Sequence, residues 1–438
     1  MRQNEQVNVE NDLQIETYLK RLWPLNRSIT GNAVRATHDI LGELLDLERI
    51  EVPTGTKCFD WCVPDEWNVE DAYVLDPDGL KIIDFKDNNL HLVGYSTPFE
   101  GTLSLDDLQD HLYSLPQQPT AIPYITSYYE KRWGFCMAHE QRAKLKNGKY
   151  KVVIRGSLRP GAMTMSQAVL TGSSEKEVLL STYTCHPSMA NNELSGPVVL
   201  AFLYRRLKQI KNRRLTYRFL FVPETIGTIA YLSKFGSRLV RDVVAGYVAT
   251  CAGTSEPFTY KRSRQGISLA DRAAAYVLKR YTNSPLFLDF SPRGSDERQY
   301  CSPGFDLPVG VIARSIFGQY SEYHTSLDNL DFISAEAIKE TVSVYFSLLM
   351  LLDKNNIYER TEPFCEPNLG KRGLYPTEGA QKKSEFVNAL MWVLNMCDGK
   401  TDVLKIAERS SVDFWDLVTA CERAEQHGLI RVSQDKHE

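Results

Sequence analysis

Apolar runs alternate with helical patterns between residues 176 and 354, and this alternation constrains the fold more than any other feature. The runs EVLLSTYT, LTYRFLFV, VVAGYVAT and LPVGVIA are almost uniformly apolar, and helical segments such as GPVVLAFLYRRLKQI and AEAIKETVSVYFSLLMLLDK lie between or after them. Strands buried on both faces and alternating with helices are typical of parallel sheets covered by helices. The sequence therefore predicts an α/β sandwich with a mixed, largely parallel sheet. Within it, TIGTIAYLSKFG predicts a short helix that ends at Gly236.

The segments outside this region have other patterns. Residues 12–55 predict a helix, a turn and a second helix. From about residue 60 to 155, short β-branched runs separated by the turn signals DPDG, KDNN and KNGK predict a small β-rich domain. Residues 384–438 predict three helices and a short strand, with the spacing of a winged helix-turn-helix.

These patterns predict three domains, and the length of 438 residues is consistent with about two to three. The main α/β domain comprises residues 1–60 and 151–365. Residues 61–150 form an inserted β-rich domain, and residues 372–438 form a winged-helix domain.

Charge argues against a nucleic-acid partner. The net charge is −4, which offers no attraction for a polyanion. The helix expected to face DNA, VDFWDLVTACERAEQ, carries four carboxylates against one arginine, whereas phosphate contact needs the opposite sign. The winged helix is therefore expected to serve docking or dimerisation, and we expect a homo-oligomer.

The N-terminal segment, the length of the apolar runs and the cysteines indicate the cellular compartment. The start, MRQNEQVNVENDLQ, lacks the apolar region of a signal peptide, and no apolar run reaches 18 residues. The nine cysteines are odd in number and scattered, which favours reduced thiols, and the lack of a CxxC pair argues against a cysteine zinc knuckle. These features predict a soluble, cytoplasmic protein without a membrane partner.

A proline- and aromatic-rich stretch, LPQQPTAIPYITSYYEKRWGFCM, lies in the β-rich segment. It is either a binding loop or a set of aromatic rings that pack a small β core, and packing is the simpler explanation.

Two of the eight histidines have unusual surroundings. His186 directly follows the strand EVLLSTYTC, and His324 lies in the loop SEYHTSLDNLDFIS before the closing helix. Ligands of open α/β sheets bind at the carboxyl ends of the strands. The other six have ordinary polar or helical contexts and are expected to be surface or structural histidines: His38, His91, His111, His139, His427 and His437.

Two carboxylates have similar positions. Glu224 ends the apolar run LTYRFLFVPE, where a charge is costly without a partner, and Asp296 lies in the charged loop FSPRGSDERQY. Two imidazoles and one carboxylate can form a catalytic zinc site with one open position, and the other carboxylate can be the general base. Each of these residues taken alone is also explained by a structural hydrogen bond.

Four segments in this order, CHPSMANNELSG, FVPETIG, GSDERQY with GFDLPVG, and YHTSLDNLD, resemble the zinc aminopeptidase-like exopeptidases. NRSITGN, VPDEWNVEDAYVLD and IPYITSYYEKRWGFC resemble a bacterial branch of that family with a β-rich insertion and a C-terminal winged helix. The resemblance covers the whole chain. It implies a zinc-exopeptidase-like α/β sandwich and a zinc-dependent, aminopeptidase-like hydrolase of peptide or other amide bonds.

The resemblance also implies roles for individual residues. His186, Asp296 and His324 match zinc ligands, and Glu224 matches the general base. Asn192 stands where the family has an aspartate that bridges two zinc ions, and a neutral amide offsets less of the repulsion between them.

Thr225 stands where the family has a further glutamate ligand. The resemblance thus implies one zinc ion, or two with unusual ligands, and Asn192 stays a candidate ligand. Three glutamates are candidates to substitute for the missing ligands: Glu193, Glu297 and Glu322.

The substrate is expected to be a small peptide or amide. Glu297 or Glu322 is a candidate to hold an α-ammonium group, Arg293 to hold a carboxylate, and Tyr323 to contact the substrate; solvated loop residues are the alternative.

Three other functions stay open. The altered Asn192 and Thr225 also fit a catalytically degenerate scaffold that binds a ligand. The winged helix alone would fit a regulator. Intramolecular transfer on a single zinc, as in glutaminyl cyclase, is the third alternative.

Overall fold

The computed structural model describes residues 12–374 and 381–433. The chain forms two compact units, of which the first ends at Phe346 and the second begins at Ser347. The α-helices are α1 Asp12–Leu22, α2 Asn32–Leu41, α3 Leu105–Gln109, α4 His139–Arg142, α5 Ser195–Lys208, α6 Ile226–Asp242, α7 Leu269–Tyr281, α8 Glu297–Tyr300, α9 Ala335–Lys354, α10 Gln381–Met396, α11 Val403–Ser410 and α12 Phe414–Gln426.

The strands belong to one large sheet and several small ones. They are β1 Glu48–Pro53, β2 Lys57–Cys58, β3 Trp61–Cys62, β4 Glu66–Leu75, β5 Lys81–Asp84, β6 Phe99–Ser104, β7 Leu112–Tyr113, β8 Phe135–Cys136, β9 Lys149–Arg159, β10 Ala162–Leu170, β11 Glu177–Tyr183, β12 Thr216–Val222, β13 Val243–Ala249, β14 Thr259–Lys261, β15 Leu286–Leu288, β16 Val309–Ala313, β17 Ile357–Arg360, β18 Asp398–Asp402 and β19 Ile430–Val432.

The large sheet has the order β1-β10-β12-β11-β13-β16-β14-β15. Its four central strands, β12, β11, β13 and β16, run parallel, whereas β1, β10 and β14 pair antiparallel with their neighbours towards the sheet centre. Every residue of β11 and β12 is buried, as expected for strands covered on both faces. The prediction of a mixed, largely parallel α/β sandwich is confirmed. Parallel strands also bring their carboxyl ends to one edge, where the candidate site lies.

A second sheet, with the order β5-β4-β9-β6, is antiparallel and is formed by residues 66–159. It lies in the same compact unit as the large sheet. Its long strands β4 and β9 pair along almost their full length, and Val74 and Val152 within them are fully buried.

The predicted second helix of residues 12–55 is wrong after Leu41. Helix α2 ends there, and residues 48–53 form the edge strand β1, which pairs with β10. In this strand Ile50 and Val52 are buried and their neighbours are largely exposed, which is the period of two that a half-buried strand has. The helical interpretation extended the apolar spacing of α2 across Gly42 into a segment with a different period.

Helix α6 does not end at Gly236, as the sequence predicts, but continues to Asp242. A Cβ at position 236 would lie 2.3 Å from Cε1 of Phe305. The glycine therefore allows an aromatic ring to approach the helix closely, and it is not a helix-terminating residue.

The second unit contains helices α10, α11 and α12 and the three-stranded sheet β18-β17-β19. Aspartate side chains cap two of these helices: Asp402 accepts from the Lys405 amide at 2.7 Å, and Asp413 accepts from the Trp415 amide at 2.9 Å. Strand β18 is an addition to the predicted order of helices and strand. Across the described residues, no helix is both long and apolar enough to cross a membrane.

Candidate active site

One pocket of about 370 Å³ lies at the carboxyl edge of the parallel strands. His186 follows β11, Glu224 follows β12, and His324 lies in the loop between β16 and α9; all three side chains line this pocket. Asp296 directly precedes helix α8 and binds the backbone beside Glu224. The four residues singled out in the sequence thus come from four loops to one end of the sheet.

His186 is buried and held on one side by charged groups. Its Nδ1 lies 2.8 Å from Oε2 of Glu193, and its Nε2 lies 3.6 Å from Oε2 of Glu224. Arg27, also buried, donates from Nε to the His186 carbonyl at 3.0 Å, and the same Nε lies 3.8 Å from Oε1 of Glu193. A carboxylate on Nδ1 fixes the ring and leaves Nε2 directed to the pocket.

The groups around His186 favour its protonated form. Burial alone lowers the pKa of His186, but Cys185 and Glu193 outweigh burial and raise this pKa well above its usual range. Burial raises the pKa of the Cys185 thiol to about 11, so the thiol is neutral at pH 7. We therefore attribute the stabilisation of the imidazolium to Glu193.

The chain leaves β12 through a strained turn. Thr225 has φ 65° and ψ −76°, and the Ile226 amide donates to the Glu224 carbonyl at 2.8 Å. These values define a γ-turn with positive φ, a rare conformation for a β-branched residue. Three other non-glycine residues around the site also have positive φ: Ser188, Cys251 and His324. Strained backbone of this kind concentrates at functional sites, because the surrounding structure must hold it in place.

Asp296 is fully buried and only half satisfied. Its Oδ1 accepts from the Thr225 amide at 2.7 Å, whereas Oδ2 has no hydrogen-bond partner among the described residues. Burial, together with the nearby Glu224, raises the pKa of Asp296 to about 8. The side chain of Glu224 is 26% exposed to the pocket, and desolvation raises its pKa against the opposing charges of His186 and Arg298.

His324 is held by packing and by its backbone. Its ring stacks on Tyr323 with centroids 3.9 Å apart, and the Tyr124 ring meets it edge-on at 5.2 Å. Burial, and then the charge of His186, lowers the pKa of His324 to about 3. Nε2 is buried without a hydrogen-bond partner among the described residues. A neutral imidazole with a free nitrogen is the form that binds a metal ion.

The aromatic stretch of the β-rich segment contributes to both the pocket and the core. Tyr124, Tyr128 and Tyr129 line the pocket, while Trp133 stacks on Phe99 and His111. The same stretch also binds the His324 loop: Pro123 pairs with Thr325, and the Tyr124 amide donates to the His324 carbonyl at 2.9 Å. The two interpretations left open by the sequence therefore apply to different residues of the stretch.

The remaining predicted residues lie outside this pocket. Glu297 is buried, and its Oε1 lies 2.7 Å from Nζ of Lys261. Arg293 is exposed, and Glu322 accepts from its neighbour Ser321 at 2.9 Å.

Asn192 is fixed by both its side chain and its backbone. Its Nδ2 donates to the Tyr183 hydroxyl at 2.8 Å, and its backbone amide donates to Asp328 at 2.9 Å.

Three site residues were missed in the sequence. Arg27 supports Glu193, Asp328 accepts from the amides of residues 191 and 192, and Arg298 lines the pocket. NRSITGN and YHTSLDNLD contain the first two, but neither segment indicates what its charged residue binds. Arg27 and His186 are 159 positions apart in the chain.

The donor set fits a zinc ion in its chemistry. Besides His324 Nε2 and Asp296 Oδ2, the buried atoms without a partner among the described residues include Oε1 of Glu193 and Oδ1 of Asn192. Imidazole nitrogens and carboxylate oxygens are common zinc ligands, and a buried polar atom without a partner is costly.

The closest group of possible metal-binding atoms in the described residues differs from the ligand set that the sequence predicts. Those of Cys185, His186 and Glu193 lie within 4.8 Å of one another, whereas those of His186, Asp296 and His324 do not form such a group among the described residues. We favour the Nε2 side of His186, because Glu193 already binds Nδ1 and the Cys185 thiol is neutral at pH 7.

Comparison with known proteins identifies the family. Residues 16–355 match the family model described as Domain of unknown function (DUF4910). The chain belongs to this family. Residues 356–432 match a winged helix-turn-helix model, which confirms the predicted C-terminal domain type.

Relatives with names and structures extend the comparison. A Clostridium acetobutylicum protein named for polysaccharide biosynthesis and an aminopeptidase-like domain is 43% identical over 402 residues, which cover 92% of each chain. A crystal structure of a C. acetobutylicum protein named as a peptidase is 41% identical, has a TM-score of 0.89, and covers 96% of each chain.

A zinc aminopeptidase from Bacillus subtilis has a TM-score of 0.54 at 11% identity and covers 76% of this chain and 94% of its own. At this identity the likeness establishes the fold alone, and it confirms the aminopeptidase-like fold that the sequence predicts.

Proposed function

We propose that this protein is a zinc-dependent hydrolase of peptide or other amide bonds, and that Glu224 is its general base. The observation that carries the proposal is the convergence of His186, Glu224 and His324 on one pocket, where the buried Nε2 of His324 lacks a partner among the described residues. The aminopeptidase-like fold supports the reaction class.

His186, Asp296 and His324 would hold the zinc ion, and Asn192 offers a further oxygen donor. When bound, zinc lowers the pKa of a water molecule to near 7 and polarises a carbonyl group. Glu193 keeps the Nδ1 proton of His186 in place, so that Nε2 presents its lone pair to the pocket.

Glu224 would accept a proton from the attacking water and pass it to the leaving amine. Its carboxylate borders the pocket and lies 3.6 Å from His186 Nε2. Its pKa is raised by desolvation, which brings a carboxylate closer to the operating pH of a general base. The amide bond breaks as the nitrogen receives this proton, and the products are a carboxylic acid and an amine.

A ligand-binding scaffold without catalysis is the second candidate. Two observations favour it: Thr225 and Asn192 are neutral, and the Thr225 hydroxyl is already bound to Arg298 at 2.9 Å. Such a scaffold would bind its ligand without hydrolysing it, and Glu224 would not act as a base.

The cellular compartment, the substrate and the partner of the winged helix are also proposals. We place it in the cytoplasm with a small peptide or amide as substrate. The carboxylates of α12 make a second copy of the chain a better partner for the winged helix than a nucleic acid.

The test combines metal content with turnover. Zinc per chain would be measured by mass spectrometry on the wild type, Glu224→Gln, His186→Ala and His324→Ala. His427→Ala, in the second unit, and Glu70→Gln, on an exposed strand position, are the matched controls. Hydrolysis would be followed on a panel of aminoacyl amides, N-acyl amino acid amides and N-acyl amino acids.

We expect about one zinc ion per chain in the wild type and both controls. Each histidine variant should lose zinc, whereas Glu224→Gln should keep it and lose turnover by roughly 10³-fold or more. Substantial turnover in Glu224→Gln contradicts its role as base. Zinc binding without turnover in the wild type and in both controls favours the scaffold, and unchanged zinc in both histidine variants contradicts the ligand assignment.

A further inference from the structure

The pocket beside His186 contains one fixed positive side chain. Arg298, in helix α8, is the sole lysine or arginine among the described residues that line it. The pocket also contains a single carboxylate among those residues, Glu224, which is the proposed base. The pocket therefore offers a substrate one positive side chain, while its one carboxylate is already assigned to catalysis.

Arg298 forms no ion pair among the described residues, although its charge acts on Glu224 and opposes the rise in the pKa of that carboxyl. Its Nη2 donates to the neutral hydroxyl of Thr225 at 2.9 Å, and its Nε is buried without a hydrogen-bond partner among the described residues. Within the described structure no carboxylate oxygen lies within ion-pair distance of its guanidinium. A partly buried guanidinium with unused donors is suited to a planar anion, because its N–H groups match the two oxygens of a carboxylate.

An α-ammonium group has no comparable partner in the pocket. Glu297 is buried and bound to Lys261 at 2.7 Å, and Glu322 does not line the pocket. If Glu224 acts as base, then no other carboxylate among the described lining residues is left for a cation.

Aromatic rings form much of the remaining lining. Trp61, Tyr124, Tyr128 and Tyr129 border the same pocket, and Trp61 meets Tyr129 edge-to-face at 5.9 Å. Rings in such a wall pack well against an apolar or aromatic group. The lining thus combines one guanidinium group with several aromatic rings.

We propose that the substrate carries a free carboxylate next to its amide bond, that Arg298 binds this carboxylate, and that an apolar or aromatic group of the substrate packs on the tyrosines. This inference rests on the proposed function for the amide bond, but the binding it describes does not depend on turnover. The protein would then act on N-acyl amino acids or on the carboxyl end of short peptides, rather than on a free amino terminus.

The test measures binding separately from hydrolysis. Calorimetry at pH 7 would compare N-acetyl-L-tyrosine with N-acetyl-L-tyrosinamide and with L-tyrosinamide, on the full chain as Glu224→Gln. The three probes share one ring, and they carry a carboxylate, no charge and an ammonium group, respectively. Inorganic phosphate would be titrated as a fourth probe.

We expect the carboxylate to bind about tenfold or more tightly than the neutral amide, as a charge-assisted hydrogen bond to arginine provides. Adding Arg298→Gln should remove this preference, and Arg298→Lys should keep part of it, because a positive charge remains. The lysine variant also serves if the glutamine variant does not fold.

Equal binding of the first two probes, tighter binding of L-tyrosinamide, or a preference that survives Arg298→Gln would overturn the inference. Tighter binding of phosphate than of the carboxylate would also overturn it. If the protein prefers the carboxylate but hydrolyses no amide, then the binding role of Arg298 stands and the proposed reaction does not. Failure of the inference and failure of the proposed function are therefore distinguishable.

Discussion

The two histidines of the pocket are held by different kinds of interaction. His186 is fixed by charge: Glu193 lies on its Nδ1, and the buried Arg27 lies beside Glu193. His324 is fixed by shape: its backbone has φ 57° and its ring is stacked on Tyr323. The difference shows that two histidines of one site can be oriented independently, one by charged side chains and the other by packing and backbone conformation.

These two kinds of interaction shift the pKa values of the two histidines in opposite directions. The pKa of His186 is raised because Cys185 and Glu193 together outweigh burial, whereas the pKa of His324 is lowered to about 3 by burial and by the charge of His186. His324 is therefore ready to bind a cation through a neutral nitrogen, whereas His186 must first lose a proton. Breaking either support should affect that histidine and leave the other in place.

The largest effect is expected from the charged support. Arg27→Met leaves the Glu193 carboxylate buried without its arginine, and breaking a buried ion pair in this way costs about 3–5 kcal/mol of unfolding free energy. Urea denaturation would measure it. The matched control, Arg49→Met, breaks the exposed pair with Asp39 and should cost about 1 kcal/mol or less. A similar small cost at Arg27 would mean that Glu193 is not held as an ion pair.

A third histidine sharpens the comparison through pH. His38 is buried with both ring nitrogens hydrogen-bonded, to Ser166 at 2.7 Å and Thr184 at 3.0 Å. Burial lowers its pKa from 6.5 to about 3. Its unfolded form therefore binds a proton more readily, so stability is full above pH 6.5 and falls as the pH drops towards 3.

By pH 5 this effect should amount to about 2 kcal/mol of unfolding free energy relative to neutral pH. His38→Gln should remove that part of the pH dependence in denaturation experiments between pH 8 and pH 5. His427→Gln, in the second unit, is the control and should leave the slope unchanged. An unchanged slope in His38→Gln would show that this histidine is protonated in the folded chain.

The smallest effect is expected from the packed support. Tyr323→Leu removes the ring that stacks on His324, and a contact between two rings contributes about 0.5–1.5 kcal/mol. Tyr323→Phe retains the ring and should behave as the wild type. Unfolding measurements on the zinc-free protein would compare them, and equal losses in both variants would show that the hydroxyl, not the stack, supports the loop.

Sequence patterns predicted the parts of the fold that depend on local periodicity. Helix α9 begins and ends where its apolar pattern does, and β11, β12, β13 and β16 agree with their apolar runs to within two residues. Strand β1 was missed because its period of two spans only six residues and follows a helical pattern whose apolar spacing continues past Gly42. The continuation of α6 past Gly236 was missed because its cause is a contact with Phe305, which is distant in the chain.

The sequence by itself determined which side chains could do chemistry and at which strand ends they lie, since both follow from residue type and local pattern. Only the tertiary structure decided their partners: Glu193 beside His186 with Arg27 behind it, Tyr124 against His324, and Arg298 in the pocket instead of Arg293. The physical reason is that these contacts join residues as far as 200 positions apart. Their distances are set by how the sheet, the helices and the aromatic stretch pack together, which no local pattern of residues records.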